Sequence, residues 1–155
     1  MQTRQESMSN VTSCNQVEST VLTAPINKAW ENLKSFQFHK FLASHIKSVK
    51  FTSGSQNEVG SVFEIGYKDG SVWTYRILEI SELRHTIAYE LIEANPSIEF
   101  TSKVTRIKLF KVTDNNWTYL SWETDFSNDV NSHIIQDQKF KKLEYLKDFN
   151  KFLSA

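Results

Sequence analysis

Two polar residues interrupt the apolar side of the C-terminal segment of this 155-residue chain. Gln138 and Lys142 are four positions apart, so in a helix they lie one turn apart on the same face. A lysine on an apolar face either extends past the helix edge to water or faces a polar group inside a cavity. We therefore interpret Gln138 and Lys142 as polar contacts in an apolar pocket, with exposure to solvent as the alternative.

Two tyrosines in strand-like segments are further candidates for a binding site. A buried phenol needs a hydrogen-bond partner, and a ligand or a water molecule in a cavity supplies one for Tyr75 and Tyr89. Apolar side chains on the same predicted inner face are candidates for the rest of the lining, with ordinary core packing as the alternative. These residues are Ile107, Leu109, Leu120 and Trp122.

The residue types that bind metals or act as nucleophiles form no recognisable pattern. The four histidines are not spaced like zinc ligands, and the chain contains no glycine-rich phosphate loop. The single cysteine, Cys14, lies in a polar N-terminal stretch, which argues against a Cys–His nucleophile. We predict no metal site and no cofactor, and we assign no catalytic residue.

An acid–base enzyme would need a carboxylate or an imidazole inside the cavity. The charged strand residues to consider are Glu64, Arg76, Glu79 and Glu90. An antiparallel sheet usually has one solvated face, so we expect these side chains to point to solvent. Arg76 and Glu90 lie on neighbouring predicted strands, and we expect them to form a cross-strand ion pair.

These candidates require a sheet to position them, and the alternation of apolar and polar residues predicts seven strands. Two short helical pieces follow the first strand, because Pro25 suits a first helical turn and an apolar face continues to Leu33. The short connections indicate an antiparallel sheet. The predicted strands cover residues 16–23, 46–52, 60–67, 71–80, 86–92, 102–112 and 117–126.

On three strands the inward face is clear, and it carries Trp122, Ile107 and Tyr89. On the strand at 71–80 both faces carry apolar residues, so its orientation is ambiguous. Residues 133–153 form a long amphipathic helix, which Asn131 or Ser132 caps. We predict that this helix is core from Leu143 through Leu153 and borders a cavity at Gln138 and Lys142. Its apolar half carries Ile134, Ile135, Phe140, Leu143, Tyr145, Leu146, Phe149, Phe152 and Leu153.

Composition narrows the function classes. Lys plus Arg and Asp plus Glu both number 18, and this balance argues against bulk electrostatic binding to nucleic acid. Aromatic residues make up 13% of the chain, which suits a dense core or a lined cavity. We expect a disordered arm over residues 1–15 and one domain over 16–155, with no transmembrane segment or secretion signal. A lone cysteine fits a reducing compartment, so we expect a cytoplasmic protein.

The order of elements resembles the helix-grip fold of the Bet v 1-like, START-related (SRPBCC) superfamily over residues 16–154. The residues that carry the resemblance are VESTVLTAPINKAWENLKSF at 17–36, VGSVFEIGYKDGSVWTYRILEI at 59–80 and the strands at 87–126. They resemble most the polyketide cyclase/dehydrase and lipid-transport branch. The resemblance implies an α+β fold in which a curved seven-stranded antiparallel sheet surrounds a long C-terminal helix.

The resemblance also implies that the protein binds a small hydrophobic ligand between the sheet and the helix. The ligand would be of the lipid, polyketide or isoprenoid type. One alternative is a cyclase or dehydratase that uses the same cavity. Another is an interaction protein whose own aromatic side chains fill the space. The sequence specifies neither the ligand nor the oligomeric state.

Overall fold

The computed structural model describes residues 14–155. The predicted arm over residues 1–15 therefore lies outside the described part except for Cys14 and Asn15, and Asn15 already begins the first strand. Within residues 14–155, no helix is long and apolar enough to cross a membrane.

Seven strands form one antiparallel sheet in the order β1-β7-β6-β5-β4-β3-β2. The chain passes from β1 at one edge to β2 at the other through helix α1 (Ile26–Leu33) and a short 3₁₀ helix (Phe38–Lys40). From β2 onward each strand pairs with the next along the chain. The strands are β1 (Asn15–Leu22), β2 (Ile46–Ser53), β3 (Val62–Tyr67), β4 (Val72–Ser81), β5 (Thr86–Asn95), β6 (Lys103–Val112) and β7 (Trp117–Phe126).

The sheet curves because bulges interrupt two of its strand pairs, β2 with β3 and β4 with β5. The register between β4 and β5 shifts twice, between Thr74 and Tyr75 and again between Ile77 and Glu79. Two further shifts interrupt the pairing of β2 with β3. Each bulge bends its strand and increases the local twist, so the sheet bends around the C-terminal helix. The predicted helix-grip architecture is confirmed.

Helix α2 (Ser132–Ser154) is the element that the sheet surrounds. Asn131 caps its start, since the Asn131 Oδ1 atom accepts a hydrogen bond from the Ile134 backbone N–H at 3.0 Å. Phe149 lies in the core, with its ring centroid 4.7 Å from that of Phe41. Its buried apolar neighbours on the same helix are Tyr145, Leu146 and Leu153.

The prediction of an unbroken core from Leu143 through Leu153 was wrong in part. Leu143 is 41% exposed and Phe152 is 40% exposed, and Phe140, in the preceding turn, is 63% exposed. The apolar residues occupy about half the circumference of α2, but the curved sheet covers a narrower arc. The flanks of the apolar face therefore remain at the surface.

The inward faces predicted for β5, β6 and β7 are confirmed, since Tyr89, Ile107 and Trp122 are all buried. The structure also shows which face of β4 points inward, which the sequence left ambiguous, because Tyr75 is buried in the core. Arg76, its neighbour on the outer face, is paired with Glu90 of β5 at 3.4 Å, as predicted.

Candidate functional site: an aromatic cavity with two buried lysines

A cavity of about 460 Å³ lies between the inner face of the sheet and the N-terminal half of α2. This volume falls within the range of about 300–1,000 Å³ that is typical of small-molecule sites. Two ring pairs stand out in its wall, with Tyr75 edge-on to Tyr89 at 5.1 Å and Trp122 stacked on Tyr145 at 5.5 Å. The aromatic side chains that line the cavity are Phe38, Tyr67, Trp73, Tyr75, Tyr89, Phe100, Trp122 and Tyr145.

The exposed lining residues mark the mouth of the cavity. They come from the β3–β4 hairpin, from the connection between β5 and β6, and from the first turns of α2. All the carboxylate side chains of the described lining are among these exposed residues at the mouth. Among the described residues, the exposed polar residues at the mouth are Asp69, Ser97, Glu99, His133 and Asp137.

The hairpin turn at Asp69 and Gly70, between β3 and β4, forms one side of the mouth. Gly70 adopts a φ of 93°, which suits glycine, and Asp69 Oδ1 accepts hydrogen bonds from the Ser71 N–H and hydroxyl at 2.9 and 2.6 Å. These hydrogen bonds lower the pKa of Asp69, so its carboxyl group is ionised at neutral pH. Asp69 is therefore a fixed negative charge at the mouth rather than a proton donor.

Lys103 begins β6 with its side chain pointing inward, and only 6% of its surface is exposed. Its Nζ atom donates to Tyr75 Oη at 3.3 Å and to Gln138 Oε1 at 3.2 Å. The same atom lies 4.9 Å from the centre of the Trp73 ring, a cation–π distance. Burial lowers the pKa of Lys103 to about 7, and the positive charges of Lys142 and Lys141 add to the shift.

Lys142 reaches the same cavity from α2 and is 3% exposed. Its Nζ atom donates to Thr124 Oγ1 of β7 at 3.0 Å. Burial lowers the pKa of Lys142 to about 8, against the opposing effect of the carboxylates of Glu18 and Glu123. The alternative in which this side chain extends into bulk water does not hold.

A line of hydroxyl groups connects the mouth with Lys103. Tyr67 Oη lies 3.1 Å from Tyr75 Oη, and Tyr75 Oη in turn accepts from Lys103. Burial raises the pKa of Tyr67, Tyr75 and Tyr89 well above the usual value for a phenol. These side chains therefore stay neutral and can donate hydrogen bonds to a ligand.

The structure places Tyr75, Tyr89, Trp122, Gln138 and Lys142 together in the lining of the cavity. It places the other predicted lining residues elsewhere, in the packed core. Helix α1 packs against β6 and β7, where Leu109 and Leu120 face each other across the two strands, and this helix fills the space that a ligand would need. The residues that do not line the cavity are Ile107, Leu109 and Leu120.

Sequence reasoning missed Lys103, the buried charged residue that β6 contributes to the cavity wall. The signal was present, because the alternation that points Ile107 and Leu109 inward also points Thr105 and Lys103 inward. Trp73, Tyr67 and Tyr145 were missed as well. Within residues 14–155, no group of three or more His, Cys, Asp and Glu side chains is arranged to hold a metal ion.

Comparison with solved structures supports the architecture. A protein from Nitrosospira multiformis is 21% identical, with a TM-score of 0.78, and the match covers 88% of this chain and 94% of that one. The major latex-like protein 151 of Panax ginseng is 16% identical, with a TM-score of 0.74 over 88% and 95% of the two chains. Ara h 8.0201 is 18% identical, with a TM-score of 0.73 over 91% and 98%.

These likenesses confirm the predicted Bet v 1-like fold, and at such low identity they establish the fold alone. No protein-family model matches the sequence. No curated protein matches it either.

Proposed function

We propose that this chain, which has the Bet v 1-like helix-grip fold, binds a small hydrophobic molecule of the lipid, polyketide or isoprenoid type. The observation that carries the proposal is the aromatic cavity of about 460 Å³ between the sheet and α2. Burial of apolar ligand surface in such a cavity contributes about 25 cal/mol per Å². The hydroxyl groups and the two lysines of the wall would orient the bound molecule.

The arrangement of polar groups favours binding over the alternatives. A cyclase or dehydratase that works through a carboxylate or an imidazole needs that group next to the substrate, and among the described residues the lining carboxylates and His133 lie at the mouth. An interaction protein with a filled core would leave no space of this size between the sheet and α2. The inner wall carries neutral phenols and lysines, which suit recognition of an apolar body with a polar end.

A neutral fluorescent probe, N-phenyl-1-naphthylamine, tests the proposal. We expect saturable binding with an increase in fluorescence, because the probe leaves water for an apolar site. The variant Ile134→Trp should weaken binding about tenfold or more, since Ile134 lines the cavity and a larger ring occupies the space of the probe. Fluorescence titration of the purified protein measures both effects.

Ile135→Trp is the matched control. Ile135 is the next residue of α2 and is also half-buried, but it does not line the cavity. We expect this variant to bind the probe like the wild type. Absence of probe binding by the wild-type protein, or equal loss in both variants, would contradict the proposal.

A further inference from the structure

Within the part of the chain that the structure describes, the two buried lysines of the cavity wall have no negatively charged partner. Among residues 14–155, neither Lys103 nor Lys142 has a carboxylate within ion-pair distance. Among the described residues, Lys103 donates to the neutral atoms Tyr75 Oη and Gln138 Oε1, and Lys142 donates to Thr124 Oγ1. A buried ammonium group without a counter-charge is costly, so this pair is unusual in a ligand-free site.

The two ammonium groups occupy the same part of the cavity. Gln138, which accepts from Lys103, lies one helical turn before Lys142 on α2. Thr124, which accepts from Lys142, is paired with Thr105 across β7 and β6, and Thr105 is two residues after Lys103. Each ammonium group has three N–H donors, so both lysines retain donors that no described residue uses.

We propose that the cavity binds an amphipathic anion, whose singly charged acidic head lies between Lys103 and Lys142. The apolar body of this molecule lies against the aromatic wall formed by Trp73, Tyr89 and Trp122. The inference rests on the proposed function and specifies the ligand class within it. The carboxylates at the mouth are not in contact with either lysine, so the head group of the ligand supplies the missing negative charge.

The rest of the lining fits this class of ligand. Lys141 also borders the cavity, but Asp137 neutralises it at 3.2 Å, which leaves Lys103 and Lys142 as the unpaired cations of the described lining. A carboxylate accepts charge-assisted hydrogen bonds from both lysines, and these bonds are about twice as strong as neutral ones. A neutral alcohol with the same chain gains no such bonds.

Competition against N-phenyl-1-naphthylamine at pH 7 tests the inference with a matched pair of ligands, dodecanoate and 1-dodecanol. We expect dodecanoate to displace the probe from the wild-type protein at a concentration about tenfold lower or more than dodecanol requires. The double variant Lys103→Met/Lys142→Met should lose this preference, so that the two ligands compete equally. Lys139→Met, which changes an exposed lysine of α2 outside the cavity, should retain it.

The preference is a ratio taken within each variant, so a general change in the cavity cancels. Equal competition by the two ligands in the wild type, or an unchanged preference in the double variant, would overturn the inference while leaving the proposed function in place. Failure of the wild type to bind the neutral probe at all would overturn the proposed function and the inference with it. Equal competition in the wild type overturns the inference even where the double variant does not fold.

Discussion

Lys103 and Lys142 place ammonium groups among aromatic rings, where the charged form of a lysine is disfavoured. Hydrogen bonds from Lys103 to Tyr75 and Gln138, together with the Trp73 ring, offset part of this cost. The remaining cost falls on the ligand-free protein. A negatively charged ligand would remove this cost when it binds between the two ammonium groups. The same two lysines would therefore lower the stability of the ligand-free protein and raise its affinity for such a ligand.

The stability of the ligand-free protein should therefore depend on pH through Lys103. Its folded pKa is about 7 and its ordinary value is 10.5, so between these values the unfolded chain holds a proton that the folded chain does not. The cost to the folded state is absent above about pH 10.5, grows as the pH falls and is complete below about pH 7. Replacement by methionine removes this cost.

We expect the stability of Lys103→Met relative to the wild type to be higher at pH 6 than at pH 9, by about 3 kcal/mol. Urea unfolding of both proteins at the two pH values measures the difference, in which the titrating groups that do not interact with Lys103 cancel. The control Lys139→Met, at an exposed position, should show the same relative stability at both pH values. A pH-independent difference for Lys103→Met would show that its ammonium group is not destabilised in the fold.

Part of this site could be predicted from the sequence. Lys142 and Gln138 were identified because helical periodicity places them on the apolar face, and Tyr75 and Tyr89 because strand alternation turns them inward. Lys103 was not identified because it is the first residue of β6, and at the end of a strand the alternation of side chains predicts least well which of them point inward. The contacts among these side chains depend on how the sheet bends, which no local pattern encodes.

At the scale of elements, α2 has two halves with different roles. Its C-terminal half holds the fold together through side chains such as Phe149 and Leu153, which are buried against the sheet and the segment that precedes β2. Its N-terminal half borders the cavity through Gln138 and Lys142. The same helix therefore provides stability at one end and borders the proposed ligand site at the other.

The variant Phe149→Asp should not fold stably, because it removes a large buried ring and puts a charge in its place. Loss of a buried phenylalanine alone costs about 3–5 kcal/mol, and an unpaired buried carboxylate adds to this. Thermal unfolding followed by circular dichroism measures the effect. Phe140→Asp is the matched control on the same helix, since Phe140 is 63% exposed, and it should melt close to the wild type.

A normal melting curve for Phe149→Asp would mean that the sheet does not grip the helix through this residue.

The different burial of Phe140 and Phe149 could not be predicted from the sequence. Phe140, Leu143 and Phe149 all lie on the apolar half of α2, and periodicity does not distinguish among them. Their different burial follows from the width of the arc that the sheet covers, which depends on its bulges rather than on the helix.

At the scale of the whole molecule, the element order and the hairpin connections were enough to predict the fold. The strand bounds agree with the structure to within about three residues, and the helix-grip topology is as expected. The volume of the cavity could not be predicted. It is the difference between the space that the curved sheet encloses and the space that the aromatic side chains occupy, and neither quantity is local.

The molecule also has an exposed apolar patch on the outer face of the sheet. Phe110 of β6 and Tyr119 of β7 face each other there, with ring centroids 5.9 Å apart, and the exposed Val21 of β1 is paired with Tyr119. A hydrophobic probe that bound this outer patch would mimic binding in the cavity in a simple titration. A measurement that reports the position of the probe is therefore more decisive than one that reports affinity.

The indole N–H signals of the four tryptophans provide this measurement in a ¹H–¹⁵N spectrum. Trp73 and Trp122 line the cavity. Trp117 lies on the outer face of β7, two residues before Tyr119, and Trp30 is a buried residue of α1. On titration with N-phenyl-1-naphthylamine, we expect the signals of Trp73 and Trp122 to shift while those of Trp30 and Trp117 stay in place. Shifts confined to Trp117, or no shift at Trp73 and Trp122 at saturating probe, would contradict the proposal that the cavity is the binding site.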